Sequence, residues 1–320
     1  MTILTIAIPT YNGSDTIDVN LKKLINIKKK YPIEILVSDN CSTDNTADIV
    51  KKYDEIDYYK NNENVGFDNN CNLCVERSKG DYVWLLADND SFNELYFEKV
   101  FSFLSNNNDL NIIFLDFKSI KGNQIKHQEE NFYICKNGDV FFEKINFKNG
   151  FISSNIINRK IWLDNFMHKY FGQDWIHMEY SLRSMETNNV RAAICKLPII
   201  YSLPIKNQKW GGNGDFIFAG LKFVKIIKTA SLNYFSNETI QRGIKKIEDG
   251  YPYNLISAKI AGLKTNKNFR NEFYSVFGKT IKGNLIYFPI FICPNSFFVF
   301  FQKIYRFFVK LIKGFVKFFS

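Results

Sequence analysis

The sequence predicts an α/β fold, a mostly parallel sheet with helices covering both faces, on three observations. Apolar runs of strand length alternate with helical periods through the amino-terminal part of the chain. One of these runs, Tyr82-Val83-Trp84-Leu85-Leu86, is continuously apolar, as a parallel strand buried on both faces requires. It ends in Asp88-Asn89-Asp90, and open α/β sheets place their ligands at the carboxyl ends of strands.

The elements follow in order. Residues 3–8 are a strand candidate closed by Pro9-Thr10-Tyr11-Asn12-Gly13. The next segment carries Ile17, Leu21, Leu24 and Ile27 on one helical face, with Lys22, Lys23, Lys28 and Lys29 largely on the other. Pro32 stops that helix, and residues 33–37 form the second strand. The polar cluster Ser38-Asp39-Asn40-Cys41-Ser42-Thr43-Asp44 is rich in helix caps and leads into a helix with Ala47, Ile49 and Val50. A short third strand over 56–59 and a helix over 68–77 lead into the strand before the acidic pair.

Composition sets outer bounds. The chain has 320 residues, enough for one sizeable α/β domain and an appendage, and 46% hydrophobic residues exclude a disordered chain. Asp15 and Asp18 soon after the first short apolar run argue against a secretory leader. Cys71 and Cys74 share a helical face and read as packed thiols, since no second pair completes a metal site. Gly13 and Gly66 stand alone. Without a Gly-x-Gly-x-x-Gly turn or a P-loop, a dinucleotide-dependent dehydrogenase and a P-loop ATPase are poorly supported. Two carboxylates at i and i+2 instead suit Mg²⁺ or Mn²⁺, hard cations that commonly bridge a protein to phosphates.

Four motifs in order, Ile8-Pro9-Thr10-Tyr11-Asn12, Val37-Ser38-Asp39-Asn40 with Ser42 and Asp44, Asn64 with Gly66, and Leu85 with Asp88 and Asp90, resemble the amino-terminal half of family 2 glycosyltransferases. The subgroup most resembled holds the abequosyl- and rhamnosyltransferases of bacterial surface polysaccharide assembly, such as O-antigen and capsule. The resemblance covers roughly residues 1–215 and implies a GT-A fold, a nucleotide-sugar-binding α/β domain. It implies that Pro9, Thr10 and Tyr11 lie against the nucleoside base, that Asp39 accepts a hydrogen bond from the base, and that Asp88 contacts the ribose. Asp90, with Asp88 beside it, is implied to hold the metal that bridges the donor phosphates.

An inverting transfer also needs a base on the acceptor hydroxyl. Phe171-Gly172-Gln173-Asp174-Trp175 resembles the Glu-Asp motif that opens a helix in these enzymes, which assigns the base to Asp174. Gln173 departs from the motif, keeping hydrogen bonding but losing charge. His177 follows Asp174 by three residues and, with Gln173, is an acceptor-side candidate. Ser153, Ser154 and Asn155 resemble the segment lining the sugar pocket. Lys209 and Trp210 precede three glycines within four positions, a flexible connection placed where related enzymes close over the bound donor.

Residues 216–284 read as a basic helical extension. From 285 to 320 the chain is apolar and aromatic, with no acid after Glu272. Between 296 and 319, Lys303, Arg306, Lys310, Lys313 and Lys317 recur at helical spacing, the signature of an interfacial helix on an anionic membrane surface. The expected setting is peripheral, on the cytoplasmic face of a bacterial inner membrane, and the expected acceptor is a lipid-linked saccharide.

Two other classes fit the sequence less well. A nucleotidyltransferase of similar fold needs a cationic Gly-rich loop after the first strand, and Pro9–Gly13 carries no cation. A binding protein without catalysis is suggested only by the net charge of +10. Nucleic acid is an unsuitable partner, because the tail's cations lie between bulky aliphatic and aromatic side chains, not along a mixed polar groove.

Overall fold

A computed structural model describes residues 2–117, 131–165, 167–172, 174–203, 216–278 and 281–304. Two compact units emerge, Met1–Lys206 with Thr229–Ile240, and Asn207–Lys228 with Gln241–Ser320.

The first unit begins as the sequence predicts: β1 (Leu4–Thr10), α1 (Ile17–Lys28), β2 (Ile33–Asp39), α2 (Thr46–Val50), β3 (Asp57–Lys60), α3 (Phe67–Arg77) and β4 (Tyr82–Leu85). It continues through β5 (Asp90–Phe92), α4 (Glu94–Ser105), β6 (Ile112–Phe117), β7 (Phe132–Cys135), α5 (Gly138–Ile145), β8 (Asn155–Asn158), α6 (Arg159–Asp164), α7 (Ile176–Arg183) and β9 (Ala192–Ser202). These strands form one mixed sheet in the order β3-β2-β1-β4-β8-β6-β9-β5, with β7 added on β9. Strands β1 to β4 are mutually parallel where they pair, and β8 runs antiparallel to both β4 and β6.

Burial follows from the sequence pattern. Ile6, Ile35 and Trp84 from the central strands meet Leu21 and Leu24 of α1 and Phe97 of α4 in one core, all fully buried. All four apolar positions that define the helical face of α1 are buried. Cys71 and Cys74 are buried free thiols on α3, and burial pushes the Cys74 thiol up to about 12, which makes it inert.

The second unit is helical: α8 (Phe216–Ile227), α9 (Asn237–Ile260), α10 (Lys267–Phe277), α11 (Ile281–Ile292) and α12 (Asn295–Ile304). Its core gathers Leu221, Tyr251, Leu255 and Phe273 with Tyr287 and Phe291 of α11. The segment expected to be wholly interfacial from 285 is therefore divided at its start. Tyr287 and Phe291 pack inward, whereas Leu285, Phe288, Ile292, Phe297, Phe300 and Phe301 are exposed. Among the described residues no single helix is long and apolar enough to cross a membrane. The pair Leu285–Ile292 and Asn295–Ile304, bent by 98°, passes by length and composition. Arg306, Lys310, Lys313 and Lys317 lie outside the described residues.

Candidate active site

Register brings the first, second and fourth motifs to one end of the sheet. Thr10 pairs with Asp39 at the ends of β1 and β2, and β1 pairs with β4 up to Ala7 opposite Leu85. Three residues farther on each strand, Thr10 Oγ1 donates to Asp88 Oδ2 at 2.6 Å. Thr10 is thus a brace for Asp88. The turn after β1 closes tightly beneath this pair, and a Cβ added at Gly13 would strike both Asp88 Oδ2 and Thr10 Oγ1. Gly13→Ala is expected to displace Asp88 and cut transfer about a hundredfold, with little change in melting temperature. Initial rates beside a thermal melt test this, and an unchanged rate would contradict the placement of Asp88.

The rim of the site is cross-braced between loops. Asn12, at φ 53°, accepts through Oδ1 from the backbone N–H groups of Thr43 (2.8 Å) and Asp44 (3.3 Å). Asp44 in turn accepts from the N–H groups of Ser14 (3.2 Å) and Thr46 (3.1 Å). Burial pushes the Asp44 carboxyl upward, but the Thr46 and Ser14 hydrogen bonds outweigh it and bring the group down to about 2. Tyr11 stands on this rim with 46% of its surface exposed, able to offer a ring face, and Pro9 is half-buried on β1 opposite Ser38. Asp39 is fully buried. Its Oδ1 accepts from Ser42 N–H and its Oδ2 from the Tyr58 hydroxyl, each at 2.7 Å.

Asp90 is held from both sides. It is 2% exposed, with Oδ2 accepting from Ser153 Oγ at 2.7 Å and Oδ1 from Ser202 Oγ at 2.9 Å. Ser153 is itself fixed, since its Oγ accepts from Ala87 N–H at 2.9 Å and its carbonyl accepts from Trp84 Nε1 at 2.7 Å. Asn20 of α1 donates through Nδ2 to the carbonyls of both Asp88 and Asp90. Burial raises the Asp90 carboxyl to about 6 against the pull of both serines, and the Asp88 charge adds to the rise.

This donor set fits a divalent cation. Two neighbouring carboxylates, one desolvated, gain most from a positive charge against them, and a single serine bond per oxygen leaves each Asp90 oxygen a lone pair. Among the described residues no cluster of three His, Cys, Asp or Glu ligands forms, so substrate oxygens and water would complete the coordination of Mg²⁺ or Mn²⁺.

Asp174 lies ahead of α7, not within it: the helix starts at Ile176 behind the N-cap Trp175. A left-handed turn, with Gly172 at φ 90° and Asp174 at φ 58°, turns the Asp174 carboxylate to an exposed position. Asp68, in the first turn of α3, fixes that turn by accepting from Asp174 N–H (2.8 Å) and Ile176 N–H (3.1 Å).

The structure corrects two expectations about the acceptor side. His177 does not line an open pocket. It is 3% exposed, stacked on Trp175 with ring centroids 5.4 Å apart, and its Nε2 sits 3.0 Å from the Gly150 carbonyl. Nε2 therefore carries the proton, and buried Nδ1 has no hydrogen-bond partner among the described residues. Ser153, Ser154 and Asn155 are likewise fully buried, because this segment crosses beneath Trp84 instead of facing solvent. Ser154 Oγ donates to the Phe151 carbonyl at 2.6 Å, and Asn155 Nδ2 donates to the carbonyls of Asn149 and Phe151. Only Ser153 reaches the site, through Asp90. Gln173, Lys209 and Trp210 lie outside the described residues.

His177 has a consequence for stability. Burial pushes its pKa down to about 4 from an ordinary 6.5, with the Gly150 bond opposing weakly. The unfolded chain then binds the extra proton between those values, so stability falls as pH drops from about 6.5 towards 4. About 3 kcal/mol is lost in full below that window. His177→Gln is expected to flatten this dependence, read as urea midpoints at pH 7 and pH 4.5. A variant that keeps the wild-type slope would contradict the assignment.

Four residues of the site were not anticipated from sequence. Asn20 had a signal, a polar residue three positions from Ile17 on an apolar helix face. Ser202, Asp68 and Lys23 had none. Lys23 donates to Ser91 Oγ at 2.9 Å and to the hydroxyl of Tyr201, the neighbour of Ser202, behind Asp90.

Known proteins resemble this arrangement at three levels. Over 299 residues the chain is 21% identical to the abequosyltransferase RfbV of Salmonella typhimurium, covering 86% of this chain and 90% of that one. It is 33% identical over 117 residues to the Escherichia coli UDP-Glc:alpha-D-GlcNAc-diphosphoundecaprenol beta-1,3-glucosyltransferase WfaP, covering 33% of this chain and 46% of that one. Among solved structures, residues 1–349 of Staphylococcus aureus TarS in complex with UDP-GlcNAc superpose with a TM-score of 0.59 at 16% identity, covering 82% of each chain. That likeness is one of fold, the GT-A fold. The Glycosyl transferase family 2 profile matches residues 5–167, half of the chain, and on that match the chain belongs to Glycosyl transferase family 2.

Proposed function

We propose that this glycosyltransferase moves a hexosyl or deoxyhexosyl group, with inversion, from a uridine or deoxythymidine diphosphate sugar to a polyprenyl-diphosphate-linked saccharide in surface polysaccharide assembly. The observation that carries this reading is the acidic pair, with Asp90 buried between Ser153 and Ser202 and Asp88 braced by Thr10. A divalent cation held there supplies Lewis-acid compensation for the charge that grows on the departing nucleoside diphosphate. The chain's own residues do the rest. Tyr11 offers a ring to the base, Asp88 offers a carboxylate oxygen to the nucleoside, and the hydroxyls on Asp90 keep its carboxylate aimed. Asp39, expected to meet the base, is fully buried with both oxygens taken by Ser42 and Tyr58 and braces the rim instead.

Asp174 acts as the general base. Its exposed carboxylate takes the proton from the acceptor hydroxyl as that oxygen attacks the anomeric carbon opposite the leaving diphosphate. Asp68 fixes the turn that presents it. UDP-GlcNAc bound to TarS supports a uridine donor, and the diphosphoundecaprenol named in WfaP supports a lipid-linked acceptor.

The exposed aromatic side chains of α11 and α12, together with the cations from Lys303 onward, support a peripheral seat on the cytoplasmic leaflet of a bacterial inner membrane. Such a seat would concentrate the enzyme beside a lipid-linked acceptor. The test is a donor panel read as release of free nucleoside diphosphate with Mg²⁺ or Mn²⁺, repeated with extracted lipid-linked glycans. The expected result is slow hydrolysis of one donor, accelerated by the glycan extract. Release from no donor would overturn the reading.

A further inference from the structure

A cavity of about 260 Å³ opens on the first unit, away from the acidic pair. Its lining includes Phe114 and Asp116 of β6, Tyr133 of β7, Lys144 of α5, Lys148 and Lys196. Three lysines against one carboxylate leave two positive charges. None of the three lysines forms an ion pair with the described residues. Lys144 Nζ rests over the Tyr133 ring, 4.1 Å from its centroid, so one ammonium is held at the cavity with no ion-pair partner among the described residues. Unpaired cations gathered around a concave site call for an anion.

Strand pairing ties the cavity to the catalytic end. Phe114 pairs with Asn155 at the start of β8, and the Phe117 ring packs on Phe151 at 4.9 Å, in the segment whose Ser153 holds Asp90. Strand β9 carries both Lys196 at the cavity and Ser202 on Asp90. Six residues of extended chain set that span at roughly 20 Å or less. An acceptor longer than one sugar can therefore reach from the lysines to the acidic pair.

We propose that the pocket of Lys144, Lys148 and Lys196 binds the diphosphate that joins the acceptor glycan to its lipid carrier. A diphosphate diester carries two negative charges, matching the two net positive charges of the lining. The assignment rests on the proposed function for the acceptor's identity, whereas the anion site itself rests on the cavity alone.

The probe is farnesyl diphosphate, titrated calorimetrically into the full chain with saturating UDP and Mg²⁺ to fill the donor site. Farnesol and glucuronate are the controls. The wild type is expected to bind farnesyl diphosphate and neither control. The double variant Lys148→Glu with Lys196→Glu should weaken that binding about tenfold or more, leaving UDP affinity unchanged. Lys148→Arg with Lys196→Arg should retain it. Unchanged probe affinity in the Glu variant would overturn the site, as would an equal loss of UDP binding. Glucuronate binding in place of the probe would overturn the diphosphate assignment. A chain that binds the probe through these lysines, yet releases nucleoside diphosphate from no sugar donor, would uphold the pocket and overturn the proposed function alone.

Discussion

Asp90→Asn is expected to reduce transfer by at least about 10²- to 10³-fold while the fold persists. The side chain is 2% exposed and held by two serine hydroxyls, so the substitution keeps volume and most hydrogen bonding and removes only charge. Removing a buried carboxylate that burial already drives towards neutrality should leave the melting temperature level or higher. The measurement pairs initial rates at saturating Mn²⁺ with a thermal melt. Near-wild-type turnover would remove Asp90 from the site. A collapsed melt would mean that the carboxylate is structural.

Asp174→Asn should lower turnover about 10²- to 10⁴-fold with donor affinity intact, because proton abstraction matters only in the chemical step. The geometry favours a clean result. The turn that presents Asp174 is fixed by the backbone N–H of residue 174 on Asp68, a bond that does not use the substituted side chain. Donor affinity by calorimetry and single-turnover rates separate the two effects. Loss of donor binding with normal turnover at saturation would assign Asp174 to binding instead.

The amino-terminal half was legible because its signals are local. Buried parallel strands read as unbroken apolar runs, and each is followed by a helix whose apolar face recurs at helical spacing, as in Ile17, Leu21, Leu24 and Ile27. Thr10, Asp39 and Asp88 lie at strand ends, so finding the strands located them.

The support for Asp90 was not legible. Ser153 lies 63 residues away and Ser202 lies 112 residues away in sequence, and no local pattern marks a serine that will meet a buried carboxylate. The acceptor-side segment misled for a related reason. Polar residues at 153–155 look like pocket lining, but Trp84 takes the Ser153 carbonyl and holds the segment in the interior, where it enters β8 between β4 and β6. The spacing of Asp174 and His177 suggested one helical face. Left-handed backbone at Gly172 and Asp174 instead separates an exposed acid from a buried imidazole. At the carboxyl-terminal end, the aromatic pattern did not reveal that Tyr287 and Phe291 serve the helical core while their neighbours remain outside.

The proposed transfer is a single displacement at the anomeric carbon, in which Asp174 would take the acceptor proton and Asp88 and Asp90 would hold the divalent cation that binds the leaving diphosphate. The anomeric configuration of the transferred sugar, read from proton coupling in the purified product, tests it most directly. The expected configuration is opposite to that of the donor. Retention of the donor's configuration would contradict it.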